Sequence, residues 1–222
     1  VDVVLTACEL RTGSAFRFGS RESGSWRFGP TERADLRVAH AVAASAAYPV
    51  LLPALDETLV FRKGDQRRRE RVVLTDGGVF DNLGTSCMEP GRDDAVSTNV
   101  FRPEYIIACD AGAGLFDGET IPYWWPSRMR RSFESTYRKA QDSGRRRLHD
   151  YARDGSIKGF IHAYLGVLDS RLPYRPAGLV SREQVRAYPT DFSPMSDETI
   201  GLLATRGEQL TRMLVEYYCP EL

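Results

Sequence analysis

Short β-type runs alternate with helical stretches along this chain of 222 residues, and that alternation constrains the fold more than any other feature. The opening run, Val1-Asp2-Val3-Val4-Leu5-Thr6-Ala7-Cys8, is nearly all β-forming, the pattern of a strand buried on both faces. Leu10-Arg11-Thr12-Gly13 turns the chain into a second short strand, Ser14 to Phe18, and a Gly/Ser-rich loop runs from Gly19 to Pro30. Ala34 to Ala47 reads as a helix on its seven alanines, and Pro49 biases Tyr48 out of helical geometry. Two short strands end at Phe61 and Thr75, with the basic run Arg67 to Arg71 between them read as a solvated loop. Tyr105 to Cys109 is a further β-type core. Pro126 to Tyr151 carries an apolar helical stripe, and a last helix begins near Ser196, a good N-cap followed by Asp197 and Glu198. The pattern predicts an α/β fold with an open, largely parallel sheet flanked by helices. No linker divides it, so residues 1–222 read as part of one domain.

Composition narrows the function classes. Hydrophobic residues make up 42% and charged residues 27%, which excludes a disordered or fibrous chain. Thirty basic residues balance thirty acidic ones, and with no recognition motif this argues against nucleic acid as a partner. Arg outnumbers Lys 27 to 3, favouring planar bidentate contacts. Cys8, Cys87, Cys109 and Cys219 have neither metal-ligand spacing nor disulfide density, which points to a reducing, cytoplasmic setting. Carboxylates are dispersed and His40, His149 and His162 are scattered, so neither a metal nor a cofactor is expected. The weakly polar run Ala41 to Leu55 is broken by Pro49 and Pro53 and falls short of the ~20 apolar residues of a spanning helix. The chain opens on Val1 inside an apparent strand, without an initiator Met or a signal-peptide pattern, so upstream sequence is expected.

The strongest local signal is Val72-Val73-Leu74-Thr75-Asp76-Gly77-Gly78-Val79-Phe80-Asp81-Asn82. An apolar strand delivers a carboxylate to its C-terminal end, where Gly77 and Gly78 permit a sharp turn and positive φ. A carboxylate fixed there can act as a general base if a nucleophile's hydroxyl lies within hydrogen-bond reach. Asp-Gly is equally a hairpin-turn signal. Asp110, ending Ile106-Ile107-Ala108-Cys109, is the competing carboxylate, with a strand-ending turn as its plainer role.

Three motifs in one order sharpen this reading. They are Ala7-Cys8-Glu9-Leu10-Arg11-Thr12-Gly13, Val42-Ala43-Ala44-Ser45-Ala46-Ala47-Tyr48-Pro49-Val50-Leu51-Leu52-Pro53, and Thr75-Asp76-Gly77-Gly78-Val79-Phe80-Asp81-Asn82. Together they resemble the patatin-like phospholipase family, clearly over residues 1 to about 115 and only generally beyond. The resemblance implies a lipid acyl hydrolase using a serine–aspartate dyad without a catalytic His. Asp76 then matches the aspartate, and phospholipid or another acyl-ester lipid is the substrate.

The departures matter as much. That family's nucleophile lies in Gly-x-Ser-x-Gly, a strained elbow that exposes the hydroxyl, and no such sequence occurs here. Gly84-Thr85-Ser86-Cys87-Met88 lacks the closing Gly and follows the aspartate motif, so Ser86 is rejected as nucleophile. The Gly-rich oxyanion loop is absent too. The chain alone is therefore expected to be inactive, reading as the C-terminal part of a patatin-like domain, N-terminally truncated. Its serine comes from upstream sequence or a complementary chain. The alternative is a catalytically inactive fragment that binds lipid or a protein partner.

Tyr48, Val50, Leu51, Leu52 and Leu55 suit an acyl groove, because lipid chains need an apolar wall, and they suit core packing equally well. Tyr123-Trp124-Trp125 ahead of the basic helix fits either a peripheral membrane surface or a core-facing helix with a solvated basic face.

Overall fold

A computed structural model describes residues 1–32, 36–49, 51–112, 118, 123–186, 188–189 and 193–222. The connections between successive strands decide its architecture. Four residues join β1 (Val4–Glu9) to β2 (Ser14–Gly19), and two join β5 (Leu55–Lys63) to β6 (Gln66–Asp76). Connectors this short can link only antiparallel neighbours, since a parallel pair needs a crossover of a dozen residues or more. Gly13 and Gly64, both with φ near +60°, supply the left-handed geometry these turns require (64° and 58°). Within the segment expected to be loop, β3 (Ser23–Ser25) and β4 (Gly29–Pro30) continue the antiparallel meander.

These six strands form one sheet in the order β4-β3-β2-β1-β6-β5. An antiparallel bridge between Thr31 and Phe61, with the Glu32 N–H donating to the Val60 carbonyl at 3.0 Å, brings its two edges together. The result is a nearly closed, barrel-like sheet, and the expectation of an open, largely parallel sheet of patatin type is overturned. The alternation of β and helical runs misled because the helices do not serve as crossovers between parallel neighbours in this sheet. The run Arg67 to Arg71, expected as a loop, lies inside β6, paired with Thr58 to Arg62. Its guanidinium groups remain exposed, Arg67 pairing with Glu32 and Arg71 with Asp56.

The chain divides into two compact units. The first comprises Val1–Pro103 and Met129–Arg147, the second Glu104–Arg128 and Leu148–Leu222. In the first, Ala7, Phe16, Phe18, Leu59, Phe61, Val72 and Leu74 fill the sheet's interior, and α1 (Val38–Ser45) adds Ala41 and Ala44 to the same cluster. Small side chains on α1 allow its backbone close to the strands. The predicted start of this helix, Ala34, lies outside the described residues. In the second unit, β7 (Tyr105–Asp110) pairs in parallel with β8 (Gly159–Tyr164). Ile161 and Ala163 of β8 pack with Leu210 and Cys219, the former on α4 (Asp197–Tyr218). Ser196 caps α4, accepting from the Thr199 N–H, as its sequence implied. Among the described residues no helix is long and apolar enough to cross a membrane.

Candidate active site around Asp76

Alternation along β6 places Val72, Leu74 and Asp76 on one face. Val72 and Leu74 are core residues, and Ala7, directly opposite Asp76, is buried beside them. The strand therefore carries a carboxylate to the rim of an apolar interior. Burial raises the Asp76 pKa above its ordinary value of 3.8, and a hydrogen bond from the Gly78 N–H opposes that rise. This bond, at 2.7 Å to Oδ1, is an Asx-turn. Among the described residues the carboxylate has no other hydrogen-bond partner.

All three sequence motifs meet here. The Ala47 carbonyl, just past α1, accepts from the Asp76 N–H at 3.1 Å and from the Thr75 hydroxyl at 2.7 Å. The Thr6 backbone on β1 lies so close to Gly77 that a Cβ there would overlap the Thr6 carbonyl carbon, 2.7 Å away. Gly77 is required for that approach and not for positive φ, since its φ is −63° and Gly78 begins the helical turn α2 (Gly78–Asp81). The positive φ expected of these glycines is thus corrected. Glu9 is fully buried, accepting from the N–H groups of Thr12 (2.9 Å), Arg11 and Val73 (both 3.2 Å) and from the Thr12 hydroxyl. Its role is to pin the β1–β2 turn to β6.

Tyr137 is legible in the sequence only as one position of the apolar stripe on the Pro126–Tyr151 helix. From the long helix α3 (Trp125–Arg153), its hydroxyl donates to Asn82 Oδ1. That hydroxyl, Asn82 Oδ1 and Asp76 Oδ1 all crowd the position a Gly78 Cβ would occupy. Asn82, whose amide oxygen crowds the same position as Asp76 Oδ1, therefore lies beside the carboxylate. An aromatic row continues outward, Tyr137 to Phe133 at 6.1 Å between ring centroids and Phe133 to Tyr48 at 6.0 Å. Phe133 was legible only as one position of a helical stripe.

The expected groove residues separate. Tyr48 and Leu52 are partly exposed and Leu51 more so, whereas Leu55 packs against the sheet core. Val50 lies outside the described residues. Ser86 is buried, with its Oγ accepting from Arg17 Nη2 at 3.0 Å and its N–H donating to Asp81 Oδ2 at 2.6 Å. It is a packing and hydrogen-bonding residue of the turn after Asp76. Asp110 ends β7 in a matching Asx-turn, accepting from the Gly112 N–H at 2.8 Å. Its Oδ2 stands 3.8 Å from His162 Nε2. Among the described residues, no group of three His, Cys, Asp or Glu side chains is placed to hold a metal ion. No protein-family model, curated protein or solved structure matches this chain.

Proposed function

We propose that this chain supplies the general base of a lipid acyl hydrolase, with Asp76 acting on a serine that lies outside these residues. One observation carries the reading: a carboxylate at the end of a core strand, desolvated enough to raise its pKa, with a single turn N–H as its hydrogen-bond partner among the described residues. Spare acceptor capacity and raised basicity are what proton abstraction from a hydroxyl demands. Strand pairing overturns the parallel sheet that the patatin resemblance implied; the meeting of the three motifs at Asp76 supports this carboxylate as the base without it.

In the first half-reaction Asp76 takes the serine proton as the oxygen attacks the carbonyl carbon of a phospholipid or related acyl ester. Collapse of the tetrahedral intermediate breaks the ester C–O bond, and Asp76 returns the proton to the departing alcohol. Water then attacks the acyl-serine with Asp76 again as base, releasing fatty acid and free serine. Tyr48 and Phe133, in the aromatic row leading from Tyr137, together with the exposed Leu51 and Leu52 that follow Tyr48 in the chain, offer the apolar surface that an acyl chain needs. A second reading, lipid binding without catalysis, is favoured by one feature. Among the described residues, no serine or threonine hydroxyl hydrogen-bonds to Asp76.

The test is ester hydrolysis by the protein that joins this chain to a Gly-x-Ser-x-Gly segment. Asp76→Asn is expected to lower kcat/KM by about 100- to 10,000-fold, the usual worth of a positioned base. Asp110→Asn is expected to retain most activity. Equal losses, or none in either variant, would remove the assignment.

A further inference from the structure

The second unit carries an exposed aromatic cluster that the chemistry at Asp76 does not use. Tyr123, Trp124 and Trp125 are consecutive, with relative exposures of 85%, 61% and 69%. Three such side chains in water are unusual, because aromatic rings carry large apolar surfaces that folding normally removes. The core-facing alternative read from the sequence does not describe them. Neither indole N–H nor the Tyr123 hydroxyl hydrogen-bonds to another described residue. Each ring thus presents an apolar body together with a polar tip that, among the described residues, has no protein partner and faces solvent.

Charge completes the pattern. The Arg128 guanidinium sits over the Tyr123 ring, 4.9 Å from its centroid. Arg128 has no carboxylate partner among the described residues, and the first turn of α3 contains no acidic side chain. Arg130 and Arg131 further along the helix are paired with Glu134, so among the described residues Arg128 is the cation of this cluster without a counter-charge.

We infer that Tyr123, Trp124, Trp125 and Arg128 form a docking surface for the headgroup layer of an anionic phospholipid bilayer. Indole and phenol rings prefer that depth, where the ring meets acyl chain and its tip meets ester carbonyls and water. Arg128 adds attraction to phosphate, the combination that interfacial segments use. The inference deepens the hydrolase reading by placing the chain on the surface where its substrate resides, and it rests on that reading for its choice of lipid over other anions.

The experiment uses Trp26→Phe as background, so that Trp124 and Trp125, the remaining two of three tryptophans, report alone. Vesicles of ether-linked phosphatidylcholine with or without ether-linked phosphatidylglycerol exclude hydrolysis from the readout. Anionic vesicles are expected to shift emission to the blue, and shallow brominated lipid is expected to quench it. Trp124→Ala/Trp125→Ala, followed by flotation, is expected to bind on the order of tenfold more weakly. Arg128→Glu is expected to weaken binding to anionic vesicles and to leave binding to neutral ones unchanged. Unshifted emission, binding insensitive to the double substitution, or preference for nucleic acid over vesicles would overturn the inference. Asp76→Asn is expected to bind vesicles as well as the native chain, so an error in the catalytic assignment and an error in the docking surface give different results.

Discussion

Gly78→Ala, combined with Tyr137→Phe, tests the packing around Asp76 through a double-mutant cycle. A Cβ on Gly78 would stand 2.9 Å from both Asn82 Oδ1 and Asp76 Oδ1, and closer still to the Tyr137 hydroxyl. Overpacking of this kind costs about 1–3 kcal/mol. Exchanging Gly for Ala at a helical position returns about 0.5–1 kcal/mol, which leaves roughly 1 kcal/mol of net destabilisation. Tyr137→Phe removes the bond to Asn82 and costs about 1 kcal/mol alone. Additivity would put the pair near 2 kcal/mol, but removing the hydroxyl also removes the tightest obstacle to the new methyl. The double variant is therefore expected to lose only about 1 kcal/mol, a coupling of about 1 kcal/mol between the sites. Urea denaturation reads this as a double-variant midpoint about equal to that of either single variant, at unchanged m. A double variant lying within about 0.5 kcal/mol of the additive sum would refute the geometry.

Two further outcomes concern Asp76 and a third the buried arginine of the second unit. Because burial raises the Asp76 pKa, the folded state holds this proton more tightly than the unfolded state. Stability from this group is then greatest below 3.8 and is lost as pH rises through that value to the folded pKa. Asp76→Asn should accordingly melt at or above the native temperature at neutral pH, with the difference closing in acid; a variant clearly less stable at pH 7 would contradict this. In the protein with its serine, kcat/KM should fall on the acid side with an apparent pKa above 3.8, as expected for a base that must be ionised. In the second unit, the fully buried Arg206 donates to the carbonyls of Leu165 (3.1 Å), Val167 (2.9 Å) and Val180 (2.6 Å) and pairs with Asp169 at 2.9 Å. Arg206→Ala should cost about 3–5 kcal/mol in chemical denaturation, with Arg206→Lys in between, because an ammonium cannot reproduce the planar fork.

Individual elements were more legible in the sequence than their arrangement. The runs Val1–Cys8, Ser14–Phe18 and Tyr105–Cys109 lie within a residue or two of strands, apart from the exposed Val1–Val3, and Ser196 caps its helix. Pairing direction was lost because apolar runs of similar composition suit parallel and antiparallel sheets alike. The short Leu10–Gly13 and Gly64-Asp65 connectors held the decisive information. Arg67–Arg71 concealed β6, since charge on exposed positions of a hairpin resembles a solvated loop. At the site, Asp76 was legible because strand, carboxylate and glycines are contiguous. Tyr137 was not, because its approach depends on how α3 lies against Gly78, more than 50 residues away in sequence (|i−j| = 55 to Asn82). Arg206 was hidden for a similar reason: a polar residue on an amphipathic helix reads as solvent-facing until the loops supplying its carbonyl partners are placed.

The most direct test of the central claim needs no serine at all: a pH titration of the Asp76 side-chain carboxyl carbon by NMR, assigned through Asp76→Asn. A desolvated carboxylate ready to accept a proton should titrate with its midpoint above 3.8. A midpoint at or below that value would mark Asp76 as an ordinary solvated or paired turn residue and remove the physical basis for a general base at the end of β6.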